Sequence, residues 1–205
     1  MVHPNLEVKL FHSIATALTL LAAVTAHAGD DHGRALLGQP AKDWRVENWL
    51  NSPPLELKQL RGKVVLVRWW TAPDCRYCAA TAPALNEFHE AYRERGLVVV
   101  GFYHHKSPSP LRPDDVKAHA ESFGFKFPVA IDPKWRTLKQ WWLDGSDRDF
   151  TSVSFLIDRT GRIRHIHPGG EYVKGDADYA AMKRKIEELL AEPASKASPT
   201  RAESR

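Results

Sequence analysis

The chain has 205 residues, of which 43% are hydrophobic and 26% charged, so it can bury a core and is not a mainly disordered protein. The formal net charge is +4, and the lysines and arginines form no dense block, which argues against a nucleic-acid partner. Cys75 and Cys78 are the only two cysteines, which excludes a multi-disulfide scaffold and a four-cysteine zinc site.

Residues 1–28 have the pattern of a secretory signal peptide. Lys9 supplies a positive charge, residues 14–24 are mostly apolar, and Ala26-His27-Ala28 matches the small-x-small motif of a cleavage site. The apolar stretch is shorter than the roughly 20 residues that a membrane span needs, which favours cleavage after Ala28 over a retained anchor. We therefore expect an exported protein of a bacterial periplasm, where thiols meet oxidants.

Apolar runs without strict alternation predict strands that are buried on both faces, as in a sheet covered by helices. These runs lie at Val64–Trp70, Leu97–Tyr103 and Val153–Ile157. A turn after the third run leads to a further strand at Ile163–Ile166, which predicts an antiparallel hairpin.

Helical patterns separate these strands. Apolar residues three and four positions apart predict a helix after Cys78, and Pro83 should kink it. Pro113 is placed to begin a second helix, and Asp176 to cap a fourth. Between them, apolar and aromatic residues at 135–142 predict a third helix.

The alternation of strands and helices predicts an α/β fold. We expect a mainly parallel central sheet with an antiparallel edge hairpin and helices on both faces. The predicted domain covers residues 38–192, after a flexible lead-in at 29–37 and before a disordered tail at 193–205.

The cysteine pair follows a buried strand and opens a helix. Unpaired N–H groups and a partial positive charge at a helix N-terminus stabilise a thiolate. Cys75 lies at the exposed end of the helix and Cys78 further in, so Cys75 should attack a substrate and Cys78 should resolve the mixed disulfide. Three interpretations of the pair stay open, namely a redox couple, metal ligands and an inert structural pair.

Further motifs accompany the pair: Gly38-Gln39-Pro40-Ala41, the segment from Leu57 to Val67, Pro83-Ala84-Leu85 and the segment from Phe155 to Gly161. With them, residues 38–190 resemble the thioredoxin-like superfamily, in particular exported TlpA/ResA-type thiol–disulfide oxidoreductases. The resemblance implies a redox-active disulfide and protein thiols or disulfides as substrates. We expect a monomer with a membrane or periplasmic redox partner. Peroxide is an alternative substrate, as in peroxiredoxin-like relatives.

Four positions depart from the pattern of this family. Asp74 stands where relatives carry a tryptophan, and Ser152 where they carry a cis-proline. Thr81 and Arg68 stand where relatives carry acidic residues. Arg68 and Arg76 should favour a thiolate at the cysteine pair, whereas Asp74 should oppose it. Ser152 should offer a backbone N–H and a hydroxyl to whatever approaches the pair.

His104 and His105 follow the strand Leu97–Tyr103, at the sheet edge where ligands gather in α/β proteins. Since two acids are missing, either histidine is a candidate acceptor for the proton that Cys78 loses before it attacks. The alternative is that both are solvated loop residues without a role.

One of these histidines could also complete a copper or zinc site with the two cysteines. The segment Asp149–Asp158 is similar to the corresponding stretch of Sco-type copper chaperones, which carry a ligand histidine where Phe150 stands. A copper chaperone that uses Cys75, Cys78 and a histidine is therefore the alternative function. The oxidoreductase itself is expected to need no metal or other cofactor.

Overall fold

The computed structural model describes residues 32–44 and 46–193. The predicted signal peptide and the predicted tail after Pro193 lie outside these residues. Within them, no helix has the length and apolar character needed to cross a membrane.

The described residues form a mixed sheet of six strands with helices on both faces. The strands are β1 (Asn48–Leu50), β2 (Val64–Trp70), β3 (Leu97–Tyr103), β4 (Val129–Ile131), β5 (Ser154–Ile157) and β6 (Ile163–His167). The helices are α1 (Arg76–Tyr92), α2 (Pro113–Ser122), α3 (Arg136–Leu138), which continues into a π-helical turn at Lys139–Leu143, and α4 (Ala177–Ala191). The α/β class is confirmed.

The strand order in the sheet is β1-β4-β3-β2-β5-β6. Strand β3 pairs in parallel with β2 and β4, and the predicted hairpin of β5 and β6 is antiparallel. The predicted edge hairpin is confirmed, but the sheet is mixed and not mainly parallel, because β1 pairs antiparallel with β4 at the other edge and β2 pairs antiparallel with β5. Strand β1 has only three residues, which is too short to give a periodic signal.

Two adjacent tryptophans at the end of β2 point to opposite faces of the sheet, as the strand geometry requires. Trp70 packs with residues of α1, α2 and α4, and Cys78 belongs to the same cluster. Trp69 packs on the other face with Trp141 and Trp142 of the π-helical turn. The two faces of the sheet therefore carry separate apolar clusters.

Helix boundaries follow the predicted signals. Pro113 occupies the first turn of α2, and the Asp176 carboxylate caps α4 by accepting a hydrogen bond from the Tyr179 N–H at 2.6 Å. Helix α1 continues through Pro83.

The described part of the predicted flexible lead-in is folded. Arg34–Leu36 form a 3-10 helix, and the Gly38 N–H donates to the Ile163 carbonyl at 2.7 Å. Gly33 lies against the ring of Trp142, which anchors the segment to the sheet. Residues 33–38 therefore contact the rest of the described fold.

Candidate active site

Cys75 and Cys78 form a disulfide where the chain turns from β2 into α1. Cys75 is the N-cap residue of α1, and its Sγ accepts a hydrogen bond from the Cys78 N–H at 3.3 Å. This N–H is one of the groups that a helix leaves unpaired at its N-terminus. The same donor and the helix dipole would stabilise a Cys75 thiolate after reduction.

The two sulfur-bearing residues differ in exposure. Cys75 is partly exposed, whereas Cys78 is 2% exposed and belongs to the same buried cluster as Trp70. A substrate can therefore approach Cys75 but not Cys78. The roles predicted for them, in which Cys75 attacks and Cys78 resolves, stay a prediction.

Ser152 lies directly beside the disulfide. Its Oγ is 4.0 Å from the Cys75 Sγ, and the residue is 8% exposed in the segment that leads into β5. The hydroxyl can rotate toward the sulfur, so it can donate a weak hydrogen bond to a thiolate there. The structure thus brings Ser152 next to Cys75.

Arg68 lies beneath this segment and is 1% exposed. Its Nη1 donates to the Ser152 carbonyl at 2.6 Å and to the Ser154 hydroxyl at 3.3 Å. Its Nη2 donates to the Gly170 carbonyl at 2.7 Å and to the Thr81 hydroxyl at 3.4 Å. Burial lowers the pKa of the Arg68 guanidinium.

Two residues of this network were missed in the sequence. Gly170 and Tyr172 lie in the loop after β6, and the Tyr172 ring faces the Arg68 guanidinium at 5.4 Å. The Tyr172 N–H donates to the Thr81 hydroxyl at 3.4 Å, so Thr81 joins α1 to this loop. No motif marks the loop, because its contacts with Arg68 arise only when β6 pairs with β5.

His104 is fully buried at the end of β3, so the alternative of a solvated histidine is wrong for this residue. Its Nε2 lies 3.0 Å from the Thr151 hydroxyl, next to Ser152 in the chain. Burial, with smaller contributions from Lys106 and Arg68, lowers the pKa of His104 to about 3. A neutral imidazole with such a low pKa is a weak proton acceptor, and its clearest role is to position the Thr151 segment.

Hydrogen bonds engage both ring nitrogens of His105. Its Nε2 lies 2.6 Å from the Ser109 carbonyl, to which it must donate, and its Nδ1 lies 3.1 Å from the Tyr103 hydroxyl, from which it accepts. The proton-transfer role of His104 or His105 stays a prediction.

A cavity of about 500 Å³ opens beside Cys75. Asp74 and Arg76, both predicted to tune the site, line it together with Lys106. Arg76 is exposed, with its Nη2 4.0 Å from a Glu171 carboxylate oxygen. Lys106 was not predicted as a site residue. It directly follows His104 and His105, so its place at the sheet edge where ligands gather could have identified it.

The copper alternative needs a third ligand near the cysteines. Across residues 32–44 and 46–193, no three His, Cys, Asp or Glu side chains gather in a way that could hold a metal ion. Phe150, at the position of the Sco ligand histidine, is 60% exposed.

Comparison with known proteins identifies the family of the chain. Residues 37–166, more than half of the chain, match the AhpC/TSA family. The chain belongs to the AhpC/TSA family. Among its solved relatives is a thiol-disulfide isomerase from Corynebacterium glutamicum, with a TM-score of 0.59 and 28% identity, covering 75% of this chain and 98% of the other.

Three curated proteins are similar to most of this AhpC/TSA-family chain. Thiol-disulfide oxidoreductase ResA of Bacillus anthracis is 28% identical over 159 residues, or 76% of this chain and 85% of ResA. Thiol-disulfide oxidoreductase YkuV of Bacillus subtilis is 25% identical over 157 residues, or 76% of this chain and 97% of YkuV. Protein DipZ of Mycobacterium tuberculosis is 33% identical over 148 residues, 71% of this chain but only 20% of DipZ. The chain therefore spans about a fifth of DipZ.

These comparisons confirm two predictions for this AhpC/TSA-family protein. They are the resemblance to ResA-type proteins and the thioredoxin-like fold.

Proposed function

We propose that the protein is an exported thiol–disulfide oxidoreductase that cycles Cys75 and Cys78 between dithiol and disulfide against protein substrates in the periplasm. The observation that carries this proposal is the asymmetric disulfide at the N-terminus of α1. One sulfur is accessible and capped by a backbone N–H, and the other is buried directly behind it. Such a pair can form a mixed disulfide at one sulfur and release it with the other.

The proposed thiol–disulfide exchange uses only the two cysteines of this chain and the thiols or disulfide of the substrate. A substrate thiolate attacks the Cys75 sulfur, the Cys75–Cys78 bond breaks, and Cys78 leaves as a thiolate that takes a proton from solvent. A second substrate thiolate then attacks the substrate sulfur of the mixed disulfide, and Cys75 leaves. The substrate loses two electrons and the enzyme gains them. In the reverse direction, a Cys75 thiolate attacks a substrate disulfide and Cys78 resolves the product.

The location is supported by the N-terminal sequence and by the ResA relatives. Residues 1–28 have the charged, apolar and cleavage-site regions of a signal peptide. The periplasm is an oxidising compartment, in which a disulfide such as Cys75–Cys78 can persist. Fractionation of cells that produce the full chain tests this directly. We expect the mature protein in the periplasmic fraction with its N-terminus at Gly29, and recovery of the uncleaved chain from the cytoplasm would contradict it.

Analysis of the untagged protein separates the oxidoreductase from the copper chaperone. We expect free thiols to appear reversibly as the glutathione buffer becomes more reducing. After exposure to excess Cu(I) and desalting, we expect the protein to retain far less than one equivalent of copper. Stoichiometric copper that blocks both thiols would favour the chaperone.

Lys106 should favour substrates with anionic groups beside the reacting sulfur. Within the described residues it forms no ion pair, and its Nζ lies 5.8 Å from the Trp135 ring centroid. We expect Lys106→Gln to slow the reaction of reduced enzyme with the anionic glutathione disulfide about three- to tenfold at low salt, because electrostatic attraction raises the encounter rate. The reaction with the neutral disulfide of 2-mercaptoethanol should not change.

Stopped-flow tryptophan fluorescence can follow both reactions. Lys117→Gln, which removes an exposed lysine from α2, is the matched control and should leave both rates unchanged. Equal slowing of the anionic and neutral disulfides by Lys106→Gln would show that the substitution disturbs the loop and that Lys106 does not select charge.

A further inference from the structure

Arg68 carries a buried positive charge with no carboxylate to balance it. No salt bridge in the described part of the chain includes this residue. Its four hydrogen bonds go to two carbonyls and two hydroxyls, and its Nε has no partner. Burial of a charge without a counterion is costly, and neutral dipoles compensate only part of that cost.

The titratable groups next to Arg68 cannot supply the missing negative charge. Burial raises the pKa of the Tyr172 phenol, so it stays neutral. Burial lowers the pKa values of His104 and His167, and a histidine can only become positive. Asp178 lies 3.5 Å from His167 at the surface and does not contact the guanidinium.

The cysteines are the remaining groups that can become anionic near Arg68. One of its contacts, Ser152, has its hydroxyl 4.0 Å from the Cys75 Sγ. Another contact, Thr81, lies one helical turn after Cys78 on α1. Ser152 thus connects the guanidinium to Cys75, and Thr81 connects it to the helix that carries Cys78, within a buried region where charges interact strongly.

We propose that Arg68 is the internal counterion of the thiolate that forms when Cys75–Cys78 is reduced, and that its charge makes this disulfide an oxidant of substrate thiols. The proposal rests on the proposed function and adds the direction of electron flow. A substrate dithiol loses two electrons and two protons to become a disulfide. The Cys75–Cys78 disulfide gains the two electrons. One of its sulfurs takes up a proton and becomes a thiol, and the other becomes a thiolate near Arg68. The second proton is released to solvent. The charge therefore stabilises only the reduced state.

Two substitutions of Arg68 separate its charge from its hydrogen bonds. Arg68→Met keeps much of the side-chain volume and removes the charge, whereas Arg68→Lys keeps the charge and loses the planar fork. The matched control is Arg159→Met, because Arg159 also donates to two backbone carbonyls, at Gly62 and Leu190, and also has an unpaired Nε. It lies in the turn between β5 and β6, away from the cysteines.

The equilibrium with glutathione gives the main readout. We expect Arg68→Met to lower the equilibrium constant for oxidation of glutathione by the enzyme at least about tenfold, equal to about 30 mV for two electrons. Arg68→Lys should change it less than about threefold, and Arg159→Met should leave it unchanged. An unchanged constant in Arg68→Met, or equal shifts in both Arg68 variants, would overturn the proposal.

A measurement on the unmodified protein keeps the test decisive if the variants do not fold. The form reduced with dithiothreitol should unfold at a higher temperature than the disulfide form, because only the reduced form balances the charge of Arg68. A disulfide form that unfolds at the higher temperature would contradict the counterion. Failure of the disulfide to exchange with glutathione would instead refute the proposed function, and the melting comparison would still decide the role of Arg68.

Discussion

Cys75→Ser should abolish disulfide exchange, with a loss of roughly 10³-fold or more, because no other thiol is accessible at the site. Cys78→Ser should have the opposite signature. Its Cys75 can still attack a substrate disulfide but nothing resolves the product, so mixed disulfides with protein partners should accumulate. The rate of exchange with glutathione disulfide measures the loss in Cys75→Ser. Non-reducing electrophoresis of extracts from cells that produce Cys78→Ser, followed by mass spectrometry, identifies the trapped species.

The double variant Cys75→Ser/Cys78→Ser is the control for cysteine-independent association. Trapping that requires Cys78 and survives the loss of Cys75 would reverse the assignment of the two roles. Such a result would also mean that the helix opens, since Cys78 is 2% exposed in the folded protein.

His104 should make the protein sensitive to acid. Burial lowers its pKa to about 3 in the folded state, whereas the unfolded chain binds the proton near pH 6.5. The stability that depends on a neutral His104 is therefore fully present above pH 6.5 and is lost as the pH falls toward 3. The loss can reach roughly 5 kcal/mol, at about 1.4 kcal/mol per pH unit for one proton.

Urea unfolding at pH values from 7 to 4 measures this contribution. The unfolding free energy of the parent protein should fall as the pH decreases. In His104→Gln this fall should be less steep by up to about 1.4 kcal/mol per pH unit, the slope that one proton contributes. Thr151→Val is the matched control, because it removes the hydroxyl 3.0 Å from Nε2 but keeps the buried imidazole. An equally steep decline in His104→Gln and the parent protein would show that His104 does not cause the acid sensitivity.

Local signals in the sequence were sufficient to predict the parallel centre of the sheet and its helices. The runs at β2 and β3 are apolar because both faces of these strands are covered, and Pro113 and Asp176 mark helix starts through their own backbone chemistry. The cysteine pair was equally visible, because its chemistry depends on residues that are consecutive in the chain.

The surroundings of the cysteines were harder to predict, since they depend on long-range contacts. Arg68 and Gly170 are 102 residues apart, and only the pairing of β2, β5 and β6 brings them together. The sequence indicated that Arg68 replaces an acid, but not that it would lack a counterion. His104 was interpreted from its place at a strand end, and its burial, which lowers its basicity, depends on Trp135 and Thr151 packed against it.

Turnover of a protein substrate tests the central claim most directly, namely that Cys75 and Cys78 form a cycling redox pair. A catalytic amount of the protein is mixed with a reduced, unfolded protein substrate and an excess of glutathione disulfide, and substrate disulfides are counted by alkylation and mass spectrometry. The account predicts many substrate disulfides per molecule of enzyme and none above background with Cys75→Ser. A yield limited to one disulfide per molecule, or equal yields from the two proteins, would contradict it.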